Sequence, residues 1–195
     1  MATVIADMSM SLDGFVADSE DRTDQVFGWF FGGDTPVPTA NPHVTFQVSE
    51  ASARELRDGL ANVGALISGR RTFDLAGGWG GAHPVGVPVV VMTHNAPDGY
   101  EDAPFHFVGD GIESAVAKAK ELAGDKIVGV ASPDVTRQCL DAGLLDGIRV
   151  SLVPVLLGSG VPWFANLSHA PIQLEGPTVT EGDGVTHLNY RVKRA

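Results

Sequence analysis

The amino-acid sequence predicts an α/β fold in three layers, with about eight strands in a mostly parallel sheet and an antiparallel C-terminal hairpin. Three observations lead there. Short valine-rich runs alternate with helical patterns along the chain. Those runs are almost continuously apolar, as strands covered on both faces tend to be. Finally, Ile172–Glu181 and Val185–Val192 flank Gly182-Asp183-Gly184, a hairpin signature.

The elements follow in order. Thr3–Met10 reads as a first strand, apolar except where Asp7 and Ser9 interrupt it. Asp18–Val48 then reads as a long loop containing the aromatic stretch Phe27-Gly-Trp-Phe-Phe31. Loops longer than about 12–15 residues are usually functional or disordered, and the aromatics argue against disorder. Ser52-Ala-Arg-Glu55 has the form of a capping box, with Leu56, Leu60 and Val63 following at helical spacing. Ala65–Ser68 and Pro88–Thr93 are the next strands, and Glu113–Ala123 is a helix stopped by Gly124. After the strand Ile127–Val130, Ser132 and Pro133 give an N-cap and a proline at the first helical position. Val135, Cys139 and Ala142 line that helix's inner face, and Gly143 ends it. Ile148–Leu157 reads as one long strand.

Composition limits the function. With 195 residues, 44% of them hydrophobic, the chain suits one domain over residues 1–195. Its 13 basic against 24 acidic side chains leave a net charge of −11. Such a field disfavours nucleic acid and anionic membranes as partners. The first seven residues lack the basic start of a signal peptide, and Cys139 is the only cysteine, which together suggest the reducing cytoplasm. The six histidines show no metal-site spacing, so no metal is expected. Gly109-Asp-Gly111 is half a dinucleotide fingerprint without its acidic partner, and reads as an ordinary loop into a helix.

Three segments fit a ligand site, all at the carboxyl ends of parallel strands, where open α/β sheets bind ligands. Gly69-Arg70-Arg71-Thr72 offers close backbone approach, two guanidinium forks and a hydroxyl, which together suit an anion. The alternative is a surface arginine pair bonded to local carboxylates. Gly129-Val130-Ala131-Ser132-Pro133 turns a strand into a helix N-terminus, where phosphates bind, or it is simply a tight turn. Ser11-Leu-Asp13-Gly14-Phe15-Val16-Ala17 closes the first strand.

Together with Pro88-Val-Val-Val-Met-Thr-His94 and Val153-Pro-Val-Leu-Leu-Gly-Ser-Gly160, these motifs resemble the dihydrofolate-reductase-like family. The likeness is greatest to the reductase domain of the bacterial riboflavin-pathway deaminase-reductase, in a stand-alone form. It covers nearly the whole chain. The resemblance implies NADPH across the strand ends and a homodimer. On that basis Gly69, Arg70, Arg71 and Thr72 would hold the adenosine 2′-phosphate and the adjoining phosphate, with Thr93 and His94 beside the adenosine. Gly129, Ala131 and Ser132 would face the pyrophosphate, Val16 and Ala17 the nicotinamide, and Ser159 and Gly160 would close that side.

Two departures qualify the resemblance. The family usually has paired glycines where this chain has Gly129-Val130-Ala131, so Val130 must turn into the sheet if cofactor is to bind. Dihydrofolate reductases also carry a pterin-binding carboxylate after the first loop, and here only Asp24 stands roughly in that region. The implied function is an NADPH-dependent reductase of a small pterin-, pyrimidine- or flavin-like heterocycle. Asp13 is the candidate proton donor, or it merely steadies the Gly14 turn. Phe27, Trp29 and Phe30 are expected to wall the substrate pocket, unless they serve core packing alone. The alternative to an enzyme is a non-catalytic binding protein on the same fold.

Overall fold

The computed structural model describes residues 2–193. The first strand, β1 (Val4–Ser11), is followed by the short β2 (Phe15–Ala17). The long aromatic segment is structured rather than a bare loop. It holds a helical turn α1 (Asp24–Phe27), a 3-10 turn over Gly28–Phe31, and a small antiparallel pair, β3 (Thr35–Pro38) with β4 (Thr45–Val48). Next come α2 (Glu50–Asn62), β5 (Val63–Gly69), α3 (Arg70–Leu75), β6 (Val89–Met92) and β7 (Phe105–Val108). The chain continues through α4 (Ile112–Ala123), β8 (Ile127–Val130), α5 (Pro133–Asp141) and β9 (Gly147–Val153). It ends with β10 (Val161–Pro162), β11 (Leu174–Gly182) and β12 (Val185–Val192).

Eight of these strands form one sheet in the order β11-β12-β9-β1-β8-β5-β6-β7. From β9 to β7 every neighbouring pair is parallel, while β12 and β11 add on as the antiparallel hairpin. Alternation along the strands sends Val4, Ala6, Ile67 and Val130 to one face, where they pack against Ala115 and Val116 of α4 and Val135 and Cys139 of α5. On the other face Trp29, Val37, Val48, Ala53, Val153 and Val185 form a second cluster beneath α2. A third cluster, centred on Phe73, lies at the β6–β7 edge.

Two expected boundaries are corrected. The N-cap of α2 is Ser49, whose Oγ accepts the Ser52 N–H; Ser52 lies within the helix, buried, with its hydroxyl 2.9 Å from His187 Nε2. The long strand expected over Ile148–Leu157 stops at Val153. Pro154 has no N–H to continue a ladder, and Leu156 beyond it is 69% exposed. An apolar run marks burial or strand equally well, so its pattern alone conceals such an end.

Candidate functional site

A cavity of about 1160 Å³ opens on the α2 face and extends over the carboxyl ends of β5, β6 and β8. It has two chemically distinct ends.

At the first end, α3 and α5 begin side by side. Gly69 is the last residue of β5, and an added Cβ there would lie 2.9 Å from Ser132 Oγ, tighter than side chains tolerate. Thr72 Oγ1 donates to Ser132 Oγ at 3.4 Å. The two anion-binding candidates, far apart in sequence, therefore form one surface with Thr93 and His94 beside them. Both arginines carry acidic partners. Arg70 Nε donates to Asp74 at 2.8 Å and its Nη1 to the Asn95 carbonyl at 2.7 Å, while Arg71 Nη2 reaches Asp21 at 2.6 Å. Exposed pairs of this kind contribute little stability.

The β8 turn solves its missing glycine as sheet geometry requires. Val130 pairs with Ala6 and Ile67 and is fully buried, so its side chain leaves the cavity face. Gly129 faces the cavity, where a Cβ would lie 2.7 Å from Leu66 Cδ2. Ala131 and Ser132 line the cavity too, but the Ala131 N–H is already donated to the Ile67 carbonyl. Open donors must then come from the first turn of α5, whose N–H groups have no intrahelical partner. Ser132 occupies the N-cap position without a side-chain capping bond, which leaves its hydroxyl to Thr72.

The second end is bounded by the aromatic segment, α2 and the strands β1, β9 and β12. Phe27, Trp29 and Phe30 all line it, joined by Phe31, Phe46, Leu56 and Leu60. Trp29 stacks on Phe30 with ring centroids 3.9 Å apart, and its indole N–H donates to Ser9 Oγ at 3.0 Å. A stacked pair held by a hydrogen bond gives a flat, apolar wall.

Beside that wall the sheet presents polar rows, on the second of which Trp29 itself rests, 5.0 Å from the His187 ring. Asp7 on β1 is in register with Arg149 on β9, which is in register with Asn189 on β12. One step along, Ser9, Ser151 and His187 form the next row, and His187 is hydrogen-bonded through both ring nitrogens, to Ser52 and Ser151. Burial lowers the His187 pKa against an opposing pull from Glu55, which favours the neutral ring. Glu55, on α2, accepts a hydrogen bond from Thr180 at 2.7 Å. Asp7 is exposed to the cavity but has protein packed around it. That enclosure pushes its pKa up to about 6, although Arg149 pulls the other way.

Several expectations are corrected here. Asp13 does not line the cavity. Its carboxylate accepts the Ser11 hydroxyl at 2.6 Å and the Leu157 and Gly158 N–H groups at 3.1 and 2.7 Å, and these bonds, Ser11's first, hold its pKa below the ordinary value. A carboxylate so held accepts protons poorly and fixes the loop after β9 instead. Asp24 is also absent from the lining; the cavity's carboxylates are Asp7, Asp21, Glu55 and Asp134. Ser159 and Gly160 do not reach the cavity either, though Val161 does, alongside Val16 and Ala17. Gly160 instead packs against the Ala17 backbone.

Other chemistry is unsupported. Cys139 is buried and its thiol pKa is pushed up to about 12 by that burial, which makes it inert. Among the described residues no group of three or more His, Cys, Asp or Glu could hold a metal ion. No helix among them is long and apolar enough to cross a membrane.

Comparison with known proteins decides the family. Residues 2–180 match the family model described as the RibD C-terminal domain. The chain belongs to that family. A structure of similar shape is a putative riboflavin biosynthesis protein from Shewanella sp. PV-4, 25% identical, with a TM-score of 0.72 and full coverage of both chains. A diaminohydroxyphosphoribosylaminopyrimidine deaminase/5-amino-6-(5-phosphoribosylamino)uracil reductase from Thermotoga maritima is 12% identical, with a TM-score of 0.63. The match covers 98% of the present chain but 57% of the Thermotoga protein. Dihydrofolate reductase from Enterococcus faecalis, complexed with NADP(H) and RAB-propyl, is 12% identical, covers 98% and 97% of the two chains and has a TM-score of 0.59. The RibD C-terminal domain of this chain thus has the dihydrofolate-reductase-like fold expected from its motifs, and its family supports a reductase-type function.

Proposed function

We propose that this protein is an NADPH-dependent reductase of a small planar heterocycle of pterin, pyrimidine or flavin type, acting as one domain. The observation that carries this reading is the two-ended cavity. An arginine pair and a helix N-terminus meet at one end, and a flat aromatic wall lies beside polar sheet residues at the other. The cradle at Gly69 and the inward turn of Val130 fit a dinucleotide phosphate. In this reading Arg70 and Arg71 take the 2′-phosphate with Thr72, and Thr93 and His94 flank the adenosine. Gly129, Ser132 and the start of α5 approach the pyrophosphate, while Val16, Ala17 and Val161 border the nicotinamide.

The bound cofactor supplies a hydride. The chain's own contribution is to exclude water with the Phe27–Phe31 segment and to deliver a proton. Asp7 suits that role, since its carboxyl faces the cavity and titrates near 6, close to the working pH that general acids require.

Calorimetric titration of NADPH and NADH tests the cofactor reading. NADPH should bind more tightly, and Arg70→Ala with Arg71→Ala should erase much of the difference. Each charge-assisted contact is worth about 1.5–3 kcal/mol, or roughly tenfold to a hundredfold in affinity. Equal affinity for the two cofactors in the wild type would defeat the proposal. A second reading, a non-catalytic binder, draws on the commitment of the Ala131 N–H to Ile67. It predicts weak or absent NADPH binding and no NADPH oxidation with any heterocycle tried.

We also place the protein in the cytoplasm as a homodimer. The support for pairing is an apolar strip on the α4/α5 side of the sheet, where Leu12, Phe164, Leu174 and neighbouring side chains stay accessible. Light scattering should give about twice 20.4 kDa; a particle of 20.4 kDa at micromolar concentration would exclude the dimer.

A further inference from the structure

The two polar rows at the aromatic end differ in how their hydrogen-bonding capacity is used. In the row Ser9, Ser151, His187 every side chain is bonded within the protein. Ser9 Oγ accepts the Trp29 indole N–H, and His187 joins Ser151 and Ser52 through its two ring nitrogens. That row ties the sheet to the aromatic segment and to α2. The other row, Asp7, Arg149 and Asn189, lines the cavity. Among the described residues none of its three side chains makes a hydrogen bond or an ion pair within the chain. Nor does any buried side-chain nitrogen or oxygen among them lack a partner, so the polar atoms of this row are accessible.

Arg149 differs in this from the other arginines of the cavity. Arg70 and Arg71 are held by Asp74 and Asp21. Arg149 has Asp7 in register beside it and is felt by that carboxyl, yet forms no ion pair with it, while Glu55 on α2 takes the Thr180 hydroxyl instead. The guanidinium extends toward α2, where a Cβ added at Gly59 would lie 4.0 Å from Arg149 Nη1.

A guanidinium has five N–H donors, no acceptor and a permanent charge. The ring atom that meets it must therefore be an acceptor, because an amino group there would set donor against donor. Asn189 is less selective, since its amide presents either a carbonyl or an NH2 by rotation and fits a ring N–H or a bare ring nitrogen. Discrimination falls to Arg149. With strands about 4.8 Å apart the row spans roughly 10 Å, enough for a fused two-ring heterocycle.

We propose that Arg149 is the specificity-determining residue of this end, donating to a ring carbonyl oxygen of the substrate while Asn189 pairs with the neighbouring ring nitrogen. The substrate class is then an oxo-heterocycle with a lactam edge, in preference to its amino counterpart. The proposal rests on the reading of this end as the substrate site.

A matched pair of pteridines tests it: lumazine, with two ring carbonyls, against 2,4-diaminopteridine, in which amino groups replace them. Binding is measured by tryptophan quenching and calorimetry on full-length protein at neutral pH, where both probes are mainly uncharged. Lumazine should bind about tenfold or more tightly, as expected when a hydrogen bond to a charged donor is made by one probe only. Arg149→Met should lower lumazine affinity about tenfold and change that of the diamino probe by no more than about threefold. Arg149→Gln, whose amide can donate or accept, should bind both probes and prefer neither. Asn189→Ala should weaken both alike and keep their ratio within about threefold of wild type. Thermal melts establish that each variant is folded, and the wild-type ratio stands as the test if neither Arg149 variant folds.

Equal or reversed preference in the wild type, a loss that falls on both probes alike in Arg149→Met, or no binding of either probe would overturn the proposal. Titration of NADPH into wild-type protein is a separate measurement. A protein that binds NADPH but is indifferent to Arg149 fails this inference alone, and one whose lumazine preference depends on Arg149 but that binds no NADPH fails the reductase reading alone.

Discussion

Replacing Asp7 by asparagine should lower NADPH-dependent turnover by about 10²–10⁴-fold, the usual loss when a general acid is removed, while making the protein more stable at pH 8. Both effects have one origin. Enclosure by protein raises the folded-state pKa of Asp7 from 3.8 to about 6. Ionisation therefore costs more in the folded than in the unfolded chain. The sign is that of a raised pKa: the stability is fully present below the unfolded value of 3.8 and is lost as pH rises through about 6. Asparagine remains neutral, so the variant escapes that loss. That rise sets an upper bound of about 3 kcal/mol. Because the Asp7 side chain is exposed to the cavity, about 1 kcal/mol is the realistic gain after screening. For a chain of this size that means roughly 2–4 °C in Tm at pH 8, shrinking to nothing toward pH 4. Parallel melts and NADPH-oxidation assays measure both quantities. A variant with wild-type turnover would remove Asp7 from the chemistry, and a lower Tm at pH 8 would show that the surrounding protein does not penalise the charged carboxylate. A residue that costs stability on a cavity wall is the kind that function retains.

Phe73→Ala should cost about 3–5 kcal/mol of stability, as expected for truncating a fully buried phenylalanine. Phe73 is 1% exposed, with edge-on contacts to Trp79, Tyr100, Phe105 and Phe107 at centroid distances of 4.9–5.7 Å. The alanine would leave a cavity among four rings that cannot collapse into it. In urea, the unfolding midpoint should fall with the slope unchanged. Affinity for NADPH should fall as well, since Phe73 lies in the same short helix as Arg70, Arg71 and Thr72 and anchors it to the sheet edge. Phe73→Leu should recover much of both. A loss below about 1 kcal/mol would show that the cluster repacks and that α3 is held by other contacts.

Much of the molecule was legible in its sequence because local chemistry dictates it. Continuous apolar runs located most central strands and period-3.6 patterns the main helices, while β7 and α3 carried no such pattern; the stops at Gly124 and Gly143 hold, both with positive φ. Gly69-Arg70-Arg71-Thr72 was recognisable because glycine, paired guanidinium groups and a hydroxyl are a locally complete set for an anion. The start of α2 was less determinate. Ser49 and Ser52 stand three residues apart and both suit a cap, and only the folded chain separates them: Ser49 Oγ accepts the Ser52 N–H, and Ser52 turns inward to His187.

The substrate end was decided by tertiary structure alone. In the sequence Asp7 is one acid interrupting an apolar strand, and nothing near it in the chain explains its presence. Its meaning comes from strand order: β9 places Arg149 beside it, β12 places Asn189 beyond, and α2 brings Glu55 to the same pocket. Asp13 shows the converse. Its position after the first strand made it a reasonable acid until folding brought the Leu157 and Gly158 N–H groups against it. A side chain's local pattern reports which face it occupies. Its protonation and its partners depend on groups that only long-range pairing brings within hydrogen-bonding distance, and no local pattern encodes those.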